Sequence, residues 1–174
     1  MKFRKLRAPE IECRVNTISQ KGLSLLLYKD ARCDMNILDE EVGPLGWQRT
    51  HSRDNANCTV SIWDKEKNQW ISKEDTGKES YTEVEKGLAS DSFKRACFNW
   101  GIGRELYTAP DIWIGSDKFE LKPNGKDRNG KEKFTTYDKF IVGGINYDDS
   151  GRISALTIYN CRTKQRVYSY ERKA

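Results

Sequence analysis

The longest stretch of helical periodicity, from about Ser80 to Trp100, is flanked on both sides by short segments whose apolar residues recur every second position. One helix of that length among short alternating segments restricts the chain to a mixed fold in which antiparallel strands cover a helix. At about 100° per residue, Ala89, Phe93, Ala96, Cys97 and Trp100 form one stripe, the face expected to lie on the sheet. Ser80-x-x-Glu83 and Thr82-x-x-Glu85 both match a capping box at its start, and Gly101 and Gly103 stop it.

Residues 10–18 (EIECRVNTI) and 22–29 (GLSLLLYK) predict two strands joined through Ser19, Gln20, Lys21 and Gly22, a hairpin. Its first strand alternates, so Arg14 points away from the face of Ile11, Cys13 and Val15. Ala31, Met35, Ile37, Leu38 and Val42 suit a short helix that Asp30 caps and Gly43-Pro44 ends. Strands over 46–53, 57–64 and 69–75 then form a meander, whose Trp47, Trp63 and Trp70 are assigned to core or subunit interface. Residues 115–136, rich in Lys, Gly, Asp and Asn, are expected to be a mobile loop. Strands over 138–147, 152–160 and 165–170 follow as a small appendage. The expected fold is α+β: an antiparallel hairpin and meander packed on one long helix, with a C-terminal antiparallel β appendage. The expected organisation is a core over 1–114, with the basic loop and appendage of 115–174 packed on the same domain.

Five tryptophans among 36% hydrophobic residues argue for a folded chain despite 33% charged residues. The net charge of +5 is modest and unevenly spread. Lys2, Arg4, Lys5, Arg7 and Arg14 outnumber Glu10 and Glu12 near the start, and Arg152, Arg162, Lys164, Arg166, Arg172 and Lys173 face Glu171 near the end. Asp30, Asp34, Asp39, Glu40, Glu41 and Asp54 make the stretch 30–54 acidic. Such polarity suits a polyanion on one face or head-to-tail contacts between subunits; an uneven solvated surface is the plain alternative. Cys13, Cys33, Cys58, Cys97 and Cys161 are odd in number, lack a CxxC pair, and fit reduced thiols. No stretch approaches the roughly 20 apolar residues a membrane span needs. A cytoplasmic protein without membrane contact is expected, in a bacterial host if a phage or mobile element encodes it.

Material for catalysis is sparse: His51 is the sole histidine, and there is no phosphate loop, HExxH or nucleophile elbow. No catalytic residue, metal ligand or cofactor is therefore assigned. Asp39-Glu40-Glu41 is the one cluster that would suit a magnesium-dependent nuclease, but it closes a helix and has no lysine placed to assist a metal-bound water. Nucleic-acid binding asks instead for Lys and Arg against phosphate, amides near glycines and aromatic faces. These coincide in Glu85–Ala96 and Trp100–Tyr107. Lys94 lies about 100° from the stripe's centre and Arg95 about 100° further, so the two cannot do one job. A phosphate contact from Lys94 and a second DNA or intersubunit contact from Arg95 fit this geometry, as does a solvated basic pair.

Four blocks in order, APEIECRV (8–15), LYKDARCDMNILDEEVGPLGW (27–47), DTGKESYTEVEKGLASDSFKRA (75–96) and WGIGRELY (100–107), resemble the Rad-fifty-two type of single-strand annealing protein. The likeness is strongest to the shorter versions of phages and mobile elements and loose over the last third. It implies subunits side by side in a homo-oligomeric ring or arc, with single-stranded DNA in an outer basic groove and its bases turned outward for pairing. It implies neither nucleotide cofactor nor covalent chemistry. By position, the groove's strand arginine corresponds to Arg14, its aromatic to Tyr28, its helix Lys-Arg pair to Lys94 and Arg95, and a further helix lysine to Lys86. Family members related to the eukaryotic protein carry another arginine where this chain has Phe98; Arg104 is the candidate replacement. An exonuclease or a single-strand-binding protein is a candidate further partner. Alternatives stay open: Arg14 pairing with Glu10 or Glu12, Tyr28 as strand core, and a protein that protects 3′ ends without annealing.

Overall fold

The computed structural model describes residues 1–78 and 84–172, apart from the side chains of 84–86. The fold is α+β with antiparallel strands throughout, and the chain divides into two compact units. One comprises Met1–Lys5 and Lys29–Arg104, the other Leu6–Tyr28 and Glu105–Ala174. The hairpin unit is thus interrupted by all of the helical unit but Met1–Lys5. No helix among the described residues is long and apolar enough to cross a membrane.

In the first unit, α1 (Ala31–Val42) begins where the Asp30 carboxylate accepts the Cys33 N–H at 2.9 Å. It ends at Gly43, whose φ of 76° suits a residue without Cβ. Strands β3 (Trp47–Ser52), β4 (Asn57–Asp64) and β5 (Gln69–Thr76) form a three-stranded antiparallel meander. Helix α2 (Val84–Asn99) packs against β4, β5 and α1. Among the described residues both expected α-helices, α1 and α2, are present, so the α component is not one long helix alone. The capping boxes expected at Ser80 and Thr82 involve positions that lie outside the described residues.

The buried face of α2 is Leu88, Ser92, Phe93, Ala96 and Cys97, while Ala89 and Trp100 are half-buried. The expected stripe is rotated because Ser92 has partners at depth: its hydroxyl donates to the Asn55 carbonyl at 2.9 Å. Phe93 stacks on Trp47 with centroids 6.0 Å apart and carries the Arg49 guanidinium at 4.6 Å. The Trp100 indole N–H donates to the Val60 carbonyl at 3.0 Å, and Trp63 meets Trp70 edge to face.

In the second unit, β1 (Glu12–Ser19) and β2 (Gly22–Tyr28) form the expected hairpin. It belongs to a six-stranded sheet with β6 (Ile112–Gly115), β9 (Phe140–Tyr147), β10 (Ile153–Asn160) and β11 (Arg166–Glu171), in the order β11-β10-β9-β1-β2-β6. The strands expected as an appendage thus extend the hairpin's own sheet, because β9 pairs with the free edge of β1 at Glu12 and Ile141. The sheet curls until its edges are nearly closed: Lys118 Nζ donates to the Val167 carbonyl at 3.3 Å and the Tyr168 hydroxyl to the Asp111 carbonyl at 3.1 Å. Leu25, Ile112, Ile114, Val142, Leu156, Ile158 and Val167 are buried. Between β6 and β9, part of the expected loop is ordered as a two-stranded ribbon, β7 (Lys122–Lys126) with β8 (Glu132–Thr135). Its turn is held by the Asp127 carboxylate, which accepts the N–H groups of Asn129 and Lys131.

Candidate nucleic-acid interface

Alternation along β1 puts Arg14 on the exposed side of the hairpin, opposite Leu26 in the ladder. It makes no hydrogen bond or ion pair among the described residues, so it is not spent on Glu10 or Glu12. Glu12 instead faces Tyr28, and the hydrogen bond between their side chains, with smaller contributions from burial and the carboxylate's charge, raises the phenol above its ordinary value. Tyr28 is 38% exposed, which places it on the surface rather than in the strand core.

The helical candidates belong to the other unit. Lys94 is half-buried on α2, makes no hydrogen bond or ion pair among the described residues, and acts electrostatically on Asp34 and Asp91. Arg95, one position on, is committed to its own helix: Nε donates to Asp91 at 2.8 Å, one turn back. Lys86 lies in α2, and its side chain is outside those described. Arg104 terminates the helix, donating from Nε to the Phe98 carbonyl and from a terminal nitrogen to the Asn99 carbonyl, both at 2.7 Å. A basic side chain just past a helix end satisfies carbonyls that lack an intrahelical partner. Phe98 is also Arg104's neighbour, the guanidinium lying 5.6 Å from its ring. The structure groups Arg14 with Tyr28, and Lys94 with Arg95.

Behind Lys94 lies a pair not singled out in the sequence. Lys29 and Asp34 are both buried and joined by an ion pair, and the second Asp34 oxygen, Oδ2, has no hydrogen-bond partner among the described residues. Desolvation dominates over the Lys29 charge and pushes the Asp34 carboxyl up to about 6. Gly103 lies against the Lys29 stem so closely that a Cβ there would come within 2.3 Å of Cε. The signal was present: Asp34 sits among Cys33, Ile37 and Leu38, on the buried face of α1. Cys97 is buried and its thiol is raised, first by burial and then by the Asp34 charge, so it is a poor nucleophile. No group of three or more His, Cys, Asp or Glu among the described residues could hold a metal ion.

Among the described residues Arg14 in the one unit and Lys94 in the other have no carboxylate partner, so each can contact phosphate, and beside Arg14 the exposed Tyr28 ring can stack. No family model, curated protein or solved structure matches the chain.

Proposed function

We propose that the protein binds single-stranded DNA and promotes annealing of complementary strands, acting as a homo-oligomeric ring or arc without nucleotide hydrolysis. The observation that carries this reading is Arg14, an exposed strand arginine that among the described residues has no carboxylate partner and stands beside an exposed tyrosine. An arginine in such a position is available for phosphate at little cost in broken contacts. Lys94 supports it from the helix. In this reading the hairpin, the meander and α2 correspond to the annealing-protein core, and Arg95 and Arg104 act mainly by fixing the ends and faces of α2.

The test compares Arg14→Ala and Lys94→Ala with Lys126→Ala and Lys131→Ala in the exposed ribbon and its turn. The first two variants, with fold and oligomer mass unchanged by circular dichroism and light scattering, should bind single strands more weakly. Each should lower the salt slope by about one and lose annealing of complementary oligonucleotides. The ribbon variants should behave like the parent, since exposed lysines are screened by salt. Annealing unchanged in both groove variants sinks the proposal, and binding without annealing in the parent favours a protector of DNA ends. A strict monomer with and without DNA removes the ring or arc.

A further inference from the structure

The sheet face that carries Arg14 continues on to a tryptophan that the sequence does not single out. In β6, Trp113 stands between buried Ile112 and Ile114 and is itself 51% exposed. It pairs with Ser24, and residues 24, 26 and 28 of β2 share one side, so Trp113 lies on the face of Leu26, Tyr28 and Arg14. Four residues of strand separate the Ser24 and Tyr28 positions, about 13 Å. The indole lies against the backbone of Gly22, where a Cβ would come within 2.8 Å of the ring. Glycine at that position lets the ring settle on the strand.

Beside the indole lies a cleft of about 370 Å³, walled among others by Asn16, Leu26, Pro110, Asp111 and Trp113. Its walls distinguish between the parts of a nucleotide. Asp111 repels phosphate, and a cleft that sets Leu26, Pro110 and the Trp113 ring beside the Asn16 amide and Ser24 favours a planar group that stacks and offers hydrogen-bonding edges. Phosphate is assigned instead to Arg14, which lies on the same face and pairs with Leu26 in the ladder.

We infer that Trp113 is a base-stacking platform, and that a nucleobase of a bound single strand lodges in the cleft beside it while Arg14 holds a neighbouring phosphate. This rests on the single-strand binding proposed above and adds a residue and a mode to it. Stacking uses the face of a base and leaves its pairing edge open, so a strand held in this way stays competent to anneal. The contact is blind to sequence, because every base has a π face.

The experiment measures binding of a thymine homopolymer and of an abasic polymer of equal length to the full chain, for the parent, Trp113→Leu and Trp113→Phe. Leucine keeps an apolar cover over Gly22 without a π face, and circular dichroism and light scattering check fold and mass. The parent should prefer the base-bearing strand. Trp113→Leu should weaken that binding about five- to a hundredfold, with the salt slope and abasic binding unchanged, and Trp113→Phe should fall between. Thymine binding by Trp113→Leu equal to the parent's overturns the inference. Equal parental affinity for both strands also overturns it, while leaving phosphate-based single-strand binding intact. A parent that binds neither strand brings down the underlying proposal. A fall in oligomer mass in Trp113→Leu marks the face as a contact between copies, and the stacking role is then wrong.

Discussion

Each compact unit buries one aspartate against a cation, and the two carboxylates are driven in opposite directions. Asp138 in the sheet unit accepts hydrogen bonds from Arg162 on both oxygens, from the Glu120 N–H at 2.9 Å and from the Asn160 amide at 2.8 Å. The Arg162 hydrogen bond leads, and together these donors hold the Asp138 carboxyl well below the usual range despite its burial. Asp34 in the helical unit has Lys29 on one oxygen and, among the described residues, no donor on Oδ2. Burial alone outweighs that one cation, and the Asp34 carboxyl rises to about 6. A charge partner does not settle the state of a buried acid; the number of donors reaching its oxygens does.

The largest effect expected from this contrast is in Asp138→Ala. Removing the hub leaves the Asn160 amide, the Glu120 N–H and Arg162 without their shared acceptor, and should cost about 2–3 kcal/mol at neutral pH by urea denaturation. Because the folded carboxyl lies below its unfolded value, this stabilisation is full above about pH 4 and is lost as pH falls further. The gap between parent and variant should therefore shrink in acid; a gap constant down to pH 2 breaks the account.

Asp34→Asn should show a smaller effect of opposite slope. The folded carboxyl is raised, so the folded state holds a proton that the unfolded chain has released between about pH 4 and 6. Stability of the parent should fall by on the order of 2 kcal/mol across that window from this residue, and that component should vanish in the variant. Identical slopes for the two proteins would show that Oδ2 has found a donor.

The smallest effect is expected for Arg95→Ala. Its pair with Asp91 is partly exposed and one helical turn long, so stability should change by no more than about 0.5 kcal/mol. Single-strand affinity should change less than in Lys94→Ala, whose side chain has no ion pair among the described residues to give up. Equal losses from the two would mean that Arg95 leaves Asp91 when DNA binds.

Local pattern made much of the fold legible. The hairpin, the meander and the last three strands are readable because each alternates between Gly, Asp and Asn turns, and Asp30 and Gly43 mark the ends of α1 in the sequence itself. What was hidden is non-local. Nothing in 138–147 says that β9 pairs with β1 rather than standing apart, since an alternating strand suits any free edge. The β7–β8 ribbon buries little and so carries no apolar rhythm; it is organised by the Asp127 side chain instead. Of the candidate site, Arg14 and Tyr28 were readable as outward positions of alternating strands, whereas the uses of Arg95 and Arg104 depended on which acceptors lay within reach. Trp113 was obscured by its neighbours, because Ile-Trp-Ile reads as uniformly apolar although its middle residue faces out.

The partnership of β1 with β9 also sets the order of events during synthesis. The helical unit has all its residues once Arg104 has left the ribosome, and it can pack while the remainder is being made. The opening hairpin must wait for Phe140–Tyr147 before its outer edge is covered, and for Arg166–Glu171 before the curl is tied at Val167. Its β1 edge is meanwhile an open template for the same strand of a neighbouring nascent chain. Loss of the last third would thus do more than trim a tail, leaving β1 without the neighbour that covers its outer edge.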